Sequence, residues 1–161
     1  MDMQAVTRPQ GVLVSHAMTE GVVVVHPDST LWDAVRVLRQ AEISGVPVVD
    51  RANVLVGVLS EKDIARTMGE VTGQGNVSRL LDVLVAGRSS GGSLGDLAAE
   101  TLQHTTVAEV MSRDPVVTSP ETPLDMAARI MLERGINRLP VLAGGKLVGI
   151  LTRHDVLAAF V

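Results

Sequence analysis

A chain of 161 residues suits one domain or two small ones, and a 46% hydrophobic content suits a packed core. Only 1% is aromatic, Trp32 and Phe160, so the core must be aliphatic, and the rings on which a single-strand nucleic-acid platform stacks bases are missing. The net charge is −4, the 14 basic residues are scattered and no cysteine is present, which excludes a basic stripe for duplex DNA, a disulfide framework and thiolate chemistry.

The opening MDMQAVTRPQ lacks the basic region and long apolar stretch of a secretory signal. Apolar runs such as residues 22–25 are far too short to span a bilayer. A soluble, cytoplasmic protein with no membrane partner is expected. The first element is the short extended piece at 22–25, closed by Pro27. A helix follows, with Leu31, Ala34, Val35 and Leu38 at i, i+3, i+4 and i+7. Gly45 is expected near its end. Residues 46–49 and 54–59 predict a hairpin around the turn DRAN, and a helix begins near Ser60. Next, residues 79–86 predict a helix, residues 87–95 a flexible glycine–serine break, and residues 93–103 a short helix with Ser93 as its cap. The break is no phosphate loop, because the Lys-Ser/Thr that such a loop needs is missing.

The remaining elements restate the first set. An extended piece at 116–118 leads to a helix with Thr122 as N-cap, Pro123 in the first turn and Asp125 three residues on. Leu124, Ala127, Ala128 and Met131 form its stripe, and Gly135 lies near its end. Residues 139–142 and 146–151 predict a second hairpin around AGG, and a last helix starts near Thr152. The halves superpose residue by residue: Met18 on Met111, Pro27 on Pro120, Leu31 on Leu124, Arg36 on Arg129, Pro47 on Pro140. After one residue is lost in a turn, Gly57 falls on Gly149, Ser60 on Thr152 and Asp63 on Asp155. This is a tandem duplication. The expected organisation is a tail at 1–11, a first β-α-β-β-α repeat at 12–68, a connector at 69–106 and a second repeat at 107–161.

The stretches SGVPVVD…VGVLSEKDI and NRLPVL…VGILTRHDV carry the pattern apolar-x-Pro-Val, then Gly-apolar-apolar-[Ser/Thr]-x-x-Asp, twice. This resembles a pair of cystathionine-β-synthase (CBS) domains, a Bateman module. The resemblance implies an α+β fold of two repeats packed sheet to sheet with pseudo-two-fold symmetry. It implies two clefts between them that take adenosine-containing ligands, a homodimer, and a regulatory role without catalysis. By that resemblance Asn137 and Arg138 line a cleft and can touch phosphate or base, as do their counterparts Ser44 and Gly45.

The residue chemistry agrees with this. Asp155 and Asp63, at strand-to-helix turns, can accept from the hydroxyls of a ribose diol. Thr152 and Ser60 stand at helix starts, where free N–H groups favour phosphate oxygens. Residues 22–25, Ile43, residues 116–118 with Thr118, and Ile136 offer an aliphatic wall for an adenine face. Arg153, His154 and Lys62 are cations in a helix's first turn, where they oppose the helix dipole until an anion arrives. The second junction, with Arg138, Arg153 and His154, should favour phosphate over the first, where Glu61 offsets Lys62. The alternative reading of Ser/Thr-x-x-Asp is a plain helix cap, worth about 0.5–2 kcal/mol.

No catalytic constellation is visible. His154 beside Asp155 points elsewhere on its helix, and the four histidines lack metal-site spacing. The expected function is a stand-alone module that binds an adenine nucleotide of the AMP/ADP/ATP class, requires no cofactor and signals to an unknown regulated protein. The alternatives are a ligand-free dimeric scaffold and a sensor of S-adenosylmethionine or NAD(H). The homodimer is expected to cover Val35, Leu38, Ala128 and Leu132, with Trp32 partly exposed on the surface or at the dimer face, while Met18 and Met111 fill gaps in the core.

Overall fold

The computed structural model describes residues 11–72 and 93–161; the helix expected at 79–86 and most of the break at 87–95 lie outside them. The described elements are α1 (Val14–Ala17), α2 (Leu31–Gln40), β1 (Gly45–Val49), β2 (Leu55–Ser60), α3 (Glu61–Thr72), α4 (Ser93–His104), α5 (Val107–Val110), α6 (Leu124–Arg134), β3 (Arg138–Ala143), β4 (Lys146–Thr152) and α7 (Arg153–Ala158). The strands form two antiparallel hairpins, β1 with β2 and β3 with β4. This is an α+β architecture written twice.

The chain divides into two compact units, one of Val23–Pro115 and one of Val116–Val161 with the residues up to Val22. In the first, the predicted stripe of α2 is buried against Val46, Val48, Leu59, Ile64 and Met68. Each of these leucine, valine, isoleucine and methionine side chains contributes about 1.5–3 kcal/mol by leaving water. The expected connector helix exists as α4. It lies on α2 and α3, with Ala98 and Leu102 buried in the same core. Val107 of α5 and Met111 complete that core. Trp32 is partly buried and packs against it. The extended piece at 22–25 shrinks to one parallel bridge: the Val25 N–H donates to Pro47 O at 3.1 Å, and Val25 O accepts from Val49 N–H at 3.0 Å. On the hairpin's other edge Ser112 exchanges two backbone bonds with Val58, at 2.9 and 3.0 Å. At the start of α5, Thr106 donates its N–H to Glu109 at 2.7 Å, which with the Thr106 hydroxyl holds that carboxyl below its ordinary range.

The second unit repeats this plan. Leu124, Ala127, Met131, Leu139, Val141, Leu151 and Val156 form its core, and Val14 of α1 completes it. Thr118 bridges Val141 on one edge of the hairpin and Thr19 bridges Ile150 on the other. The leading segment of each repeat in sequence therefore belongs to the compact unit of the other repeat.

Two local expectations are corrected. The cap of α6 falls on Pro123, not Thr122; the Thr122 hydroxyl is 3.0 Å from the Ser119 hydroxyl instead, in the preceding turn. Gly45 does not end a helix but opens β1. The left-handed position after α2 belongs to Glu42, at φ 54°, which is the repeat counterpart of Gly135, at φ 62°. A side chain there costs roughly 1–2 kcal/mol that glycine avoids, offset by about 0.4–1 kcal/mol of extra unfolded-chain entropy. Glu42→Gly is expected to raise the melting temperature by about 2–4 °C in a calorimetric scan; a fall would show that the strain is relieved elsewhere.

The apolar face expected to remain bare also changes. Val35 and Leu38 are buried within their own unit and Ala128 partly so, because the stripe that faces the sheet includes them; Leu132 alone of the four is exposed.

Candidate functional site

In the second unit the register of β3 and β4 sets Arg138 opposite Thr152. Arg153 N–H donates to Asn137 O at 2.9 Å, which ties the start of α7 to the residue before β3. Thr152 and Asp155 then lock each other. Asp155 Oδ2 accepts from Thr152 N–H at 2.7 Å and from the Thr152 hydroxyl at 2.8 Å; the hydroxyl in turn accepts from Asp155 N–H at 3.2 Å. One carboxylate oxygen is thus spent on the cap. The other, Oδ1, has no hydrogen-bond partner among the described residues, so a half-buried anionic acceptor is held in one orientation with one oxygen to offer. Arg153 and His154 are exposed, while Arg138 is half-buried. Ile136 is half-buried and packs on the second core.

Thr118 adds a second unspent group. Its residue is buried, yet its hydroxyl has no hydrogen-bond partner among the described residues. The counterpart in the first repeat is Val25, which fills the same place without a polar atom. An orphaned hydroxyl costs about 1–3 kcal/mol that a valine would not.

The first unit builds the same junction and then closes it. Gly45 pairs with Ser60, and Glu61 N–H donates to Ser44 O at 2.9 Å. Asp63 Oδ2 accepts from Ser60 N–H at 2.9 Å and from the Ser60 hydroxyl at 3.0 Å, and Asp63 N–H returns to that hydroxyl at 3.3 Å. Here, however, Arg66 reaches Asp63 Oδ1 at 2.6 Å, so both oxygens are engaged. Glu61 is not available to offset Lys62, since it pairs with Arg39 at 2.9 Å; Lys62 is exposed. Sequence reasoning missed Arg66 and Arg39. The i, i+3 spacing of Asp63 and Arg66 was the available signal.

In both junctions the first-turn N–H groups expected to await phosphate are partly used: those of Arg153, Asp155, Glu61 and Asp63 all have protein acceptors. The positive charge that these junctions present is therefore carried more by side chains than by backbone N–H groups. Of the wall residues, Val25 is buried, whereas Val23 and Val117 are exposed. Among the described residues no cluster of His, Asp or Glu can hold a metal ion, and no helix is long and apolar enough to cross a membrane.

Two β-α-β-β-α repeats, each ending in a Ser/Thr–Asp lock, place this chain in a family: it belongs to the CBS domain proteins, whose family model matches residues 14–70 and 107–161. It is 33% identical to the protein MJ1426 of Methanocaldococcus jannaschii over 86% of each chain. It is 34% identical to the CBS domain-containing protein CBSX2, chloroplastic, of Arabidopsis thaliana over 92% of this chain, and the match spans 63% of that relative. Among solved structures, CBSX2 in complex with AMP superposes with a TM-score of 0.68 at 32% identity, covering 92% of this chain and 96% of that one. The CBS domain of a membrane protein from Sphaerobacter thermophilus gives 0.75 at 30% identity, over 91% and 86%.

Proposed function

We propose that this chain is a regulatory CBS-pair module, not a catalyst, that binds an adenosine-containing ligand of the AMP/ADP/ATP class and passes its occupancy to a partner protein, acting as a homodimer. The observation that carries the reading is the Asp155 carboxylate, with Oδ2 fixed by Thr152 and Oδ1 left open. A pre-oriented anionic acceptor suits a ribose hydroxyl, because the cost of ordering it is met by folding. Thr118 offers a further unspent hydroxyl, Arg138 and Arg153 supply positive charge for phosphate, and His154 adds a ring nitrogen beside them. The AMP complex of CBSX2, a relative of similar fold, supports the ligand class.

A second reading has its own support in the first unit, where Arg66 closes Asp63 and the junction is complete as a cap. On that reading only the second repeat binds, or neither does and the module is a scaffold. Thermal melting with AMP, ATP, S-adenosylmethionine and NADH separates these readings. A ligand at a hundredfold excess over Kd stabilises by about 2.7 kcal/mol, which should raise melting by about 5–11 °C. A shift with AMP or ATP is the expected result. No shift with any of the four at millimolar concentration would leave the scaffold reading.

A further inference from the structure

The two capping carboxylates differ in what they have left to accept with. A carboxylate offers about four lone-pair sites, two on each oxygen. Asp155 uses two, both on Oδ2, for the Thr152 N–H and hydroxyl, and keeps Oδ1 whole among the described residues. Asp63 uses the same two for Ser60 and a third for Arg66, whose guanidinium reaches Oδ1 at 2.6 Å. The Asp63 side chain is 8% exposed beside Arg66, whereas Asp155 is half-buried. The repeat equivalent of Arg66 is Ala158, the last residue of α7, which has nothing to reach back with. A second exchange points the same way. Glu61 pairs with Arg39 in the first repeat, and their equivalents in the second are Arg153 and Leu132, so Arg153 has no ion-pair partner among the described residues. The first junction is neutralised from within, and the second is left to be completed from outside.

A vicinal diol donates two hydroxyls to one carboxylate, so it needs two open lone-pair sites on an oxygen whose charge is not already matched. Asp155 has them and Asp63 does not. We propose that Arg66 decides which repeat takes the nucleoside: it stands on Asp63 where a ribose diol would bind, and arginine or alanine at this position sets how many sites the chain has. The proposal rests on the adenosine-binding reading and assigns its stoichiometry. Both exchanges suit their helices. Alanine is as good a helix former as any at 66, and a cation at 158 stands at a helix C-terminus, where the dipole favours it. Ala158→Arg also sets against Asp155 the i, i+3 spacing by which Arg66 reaches Asp63.

The experiment titrates the full chain calorimetrically with adenosine and with AMP, as wild type, Arg66→Ala, Ala158→Arg and the double variant. Wild type is expected to bind once per chain and Arg66→Ala twice. Ala158→Arg should weaken the wild-type site by about tenfold or more, the worth of a hydrogen bond to a charged acceptor. The double variant should bind once, at a site that Asp63→Ala removes. Absence of binding in all four chains would overturn the adenosine reading and this proposal with it. A wild type that binds once, with Arg66→Ala still binding once at the same affinity, would overturn the role of Arg66 alone, as would two equal sites in wild type. Wild-type affinity in Ala158→Arg would also overturn it, and that result stands even where Arg66→Ala fails to fold.

Discussion

Asp155→Ala is expected to weaken AMP binding by about 10–100-fold in a calorimetric titration. A hydrogen bond to a charged acceptor contributes about 1.5–3 kcal/mol, and each 1.36 kcal/mol is tenfold. The open Oδ1 is the group removed, but the same substitution also strips the cap that Oδ2 provides to Thr152. Two comparisons keep these effects apart. Asp155→Asn retains an acceptor oxygen and should lose less affinity than alanine, and the ligand-free melting temperature of each variant reads the cap alone. Asp63→Ala should change AMP affinity less than Asp155→Ala, because Arg66 already occupies the oxygen that a ligand would need. A larger loss at Asp63 than at Asp155 would reverse the assignment of the better junction.

The second large effect concerns a residue with no side chain. Gly57 lies where the Met111–Ser112 segment crosses β2, and a Cβ there would stand 2.8 Å from Ser112 O and 2.8 Å from Met111 Sδ. Ser112 cannot step back cheaply, since its N–H and its C=O are both bonded to Val58. Gly149 repeats the arrangement, 2.6 Å from Met18 Sδ and 3.1 Å from Thr19 O. Overpacking of this kind costs about 1–3 kcal/mol, and a branched side chain against backbone belongs at the upper end. Gly57→Val is therefore expected to lower melting by about 6–12 °C. Gly69→Ala is the control of opposite sign: its Cβ meets nothing within 4 Å, and alanine is the better helix former by about 1 kcal/mol. Equal melting temperatures for wild type and Gly57→Val would show that the crossing segment is not held.

The glycine of the Gly-apolar-apolar-[Ser/Thr] pattern shows what one sequence can and cannot disclose. Its recurrence at 57 and 149 marked the repeat, but its reason is a contact with a segment far away in the chain. Local signals did better. The stripe of Leu31, Ala34, Val35 and Leu38, both hairpins, the helix starts at Ser60 and Thr152 and the connector helix at 93–103 were all legible, because each is encoded within a few residues. The pairing of Ser60 with Asp63 and of Thr152 with Asp155 was legible as a cap for the same reason. The Thr122 cap was misread because Ser119 offered its hydroxyl a nearer partner. Grouping Leu38 with Leu132 as one bare face overlooked the spacing: Leu38 closes the α2 stripe and is buried, whereas Leu132 lies one residue past the α6 stripe that ends at Met131 and is exposed. Thr118 was expected as part of a wall. That its hydroxyl is buried without a partner depends on neighbours that no spacing rule supplies.

The crossed membership of the leading segments has a topological meaning. Val14–Ala17 and Val107–Val110 are repeat equivalents, each followed by a methionine that lies over a glycine of a hairpin. The chain uses the exchanged arrangement, which is the connectivity of a domain-swapped dimer fused into one polypeptide. Because one polypeptide supplies both segments, the exchange is intramolecular, and closure of each core depends on the tether and not on protein concentration.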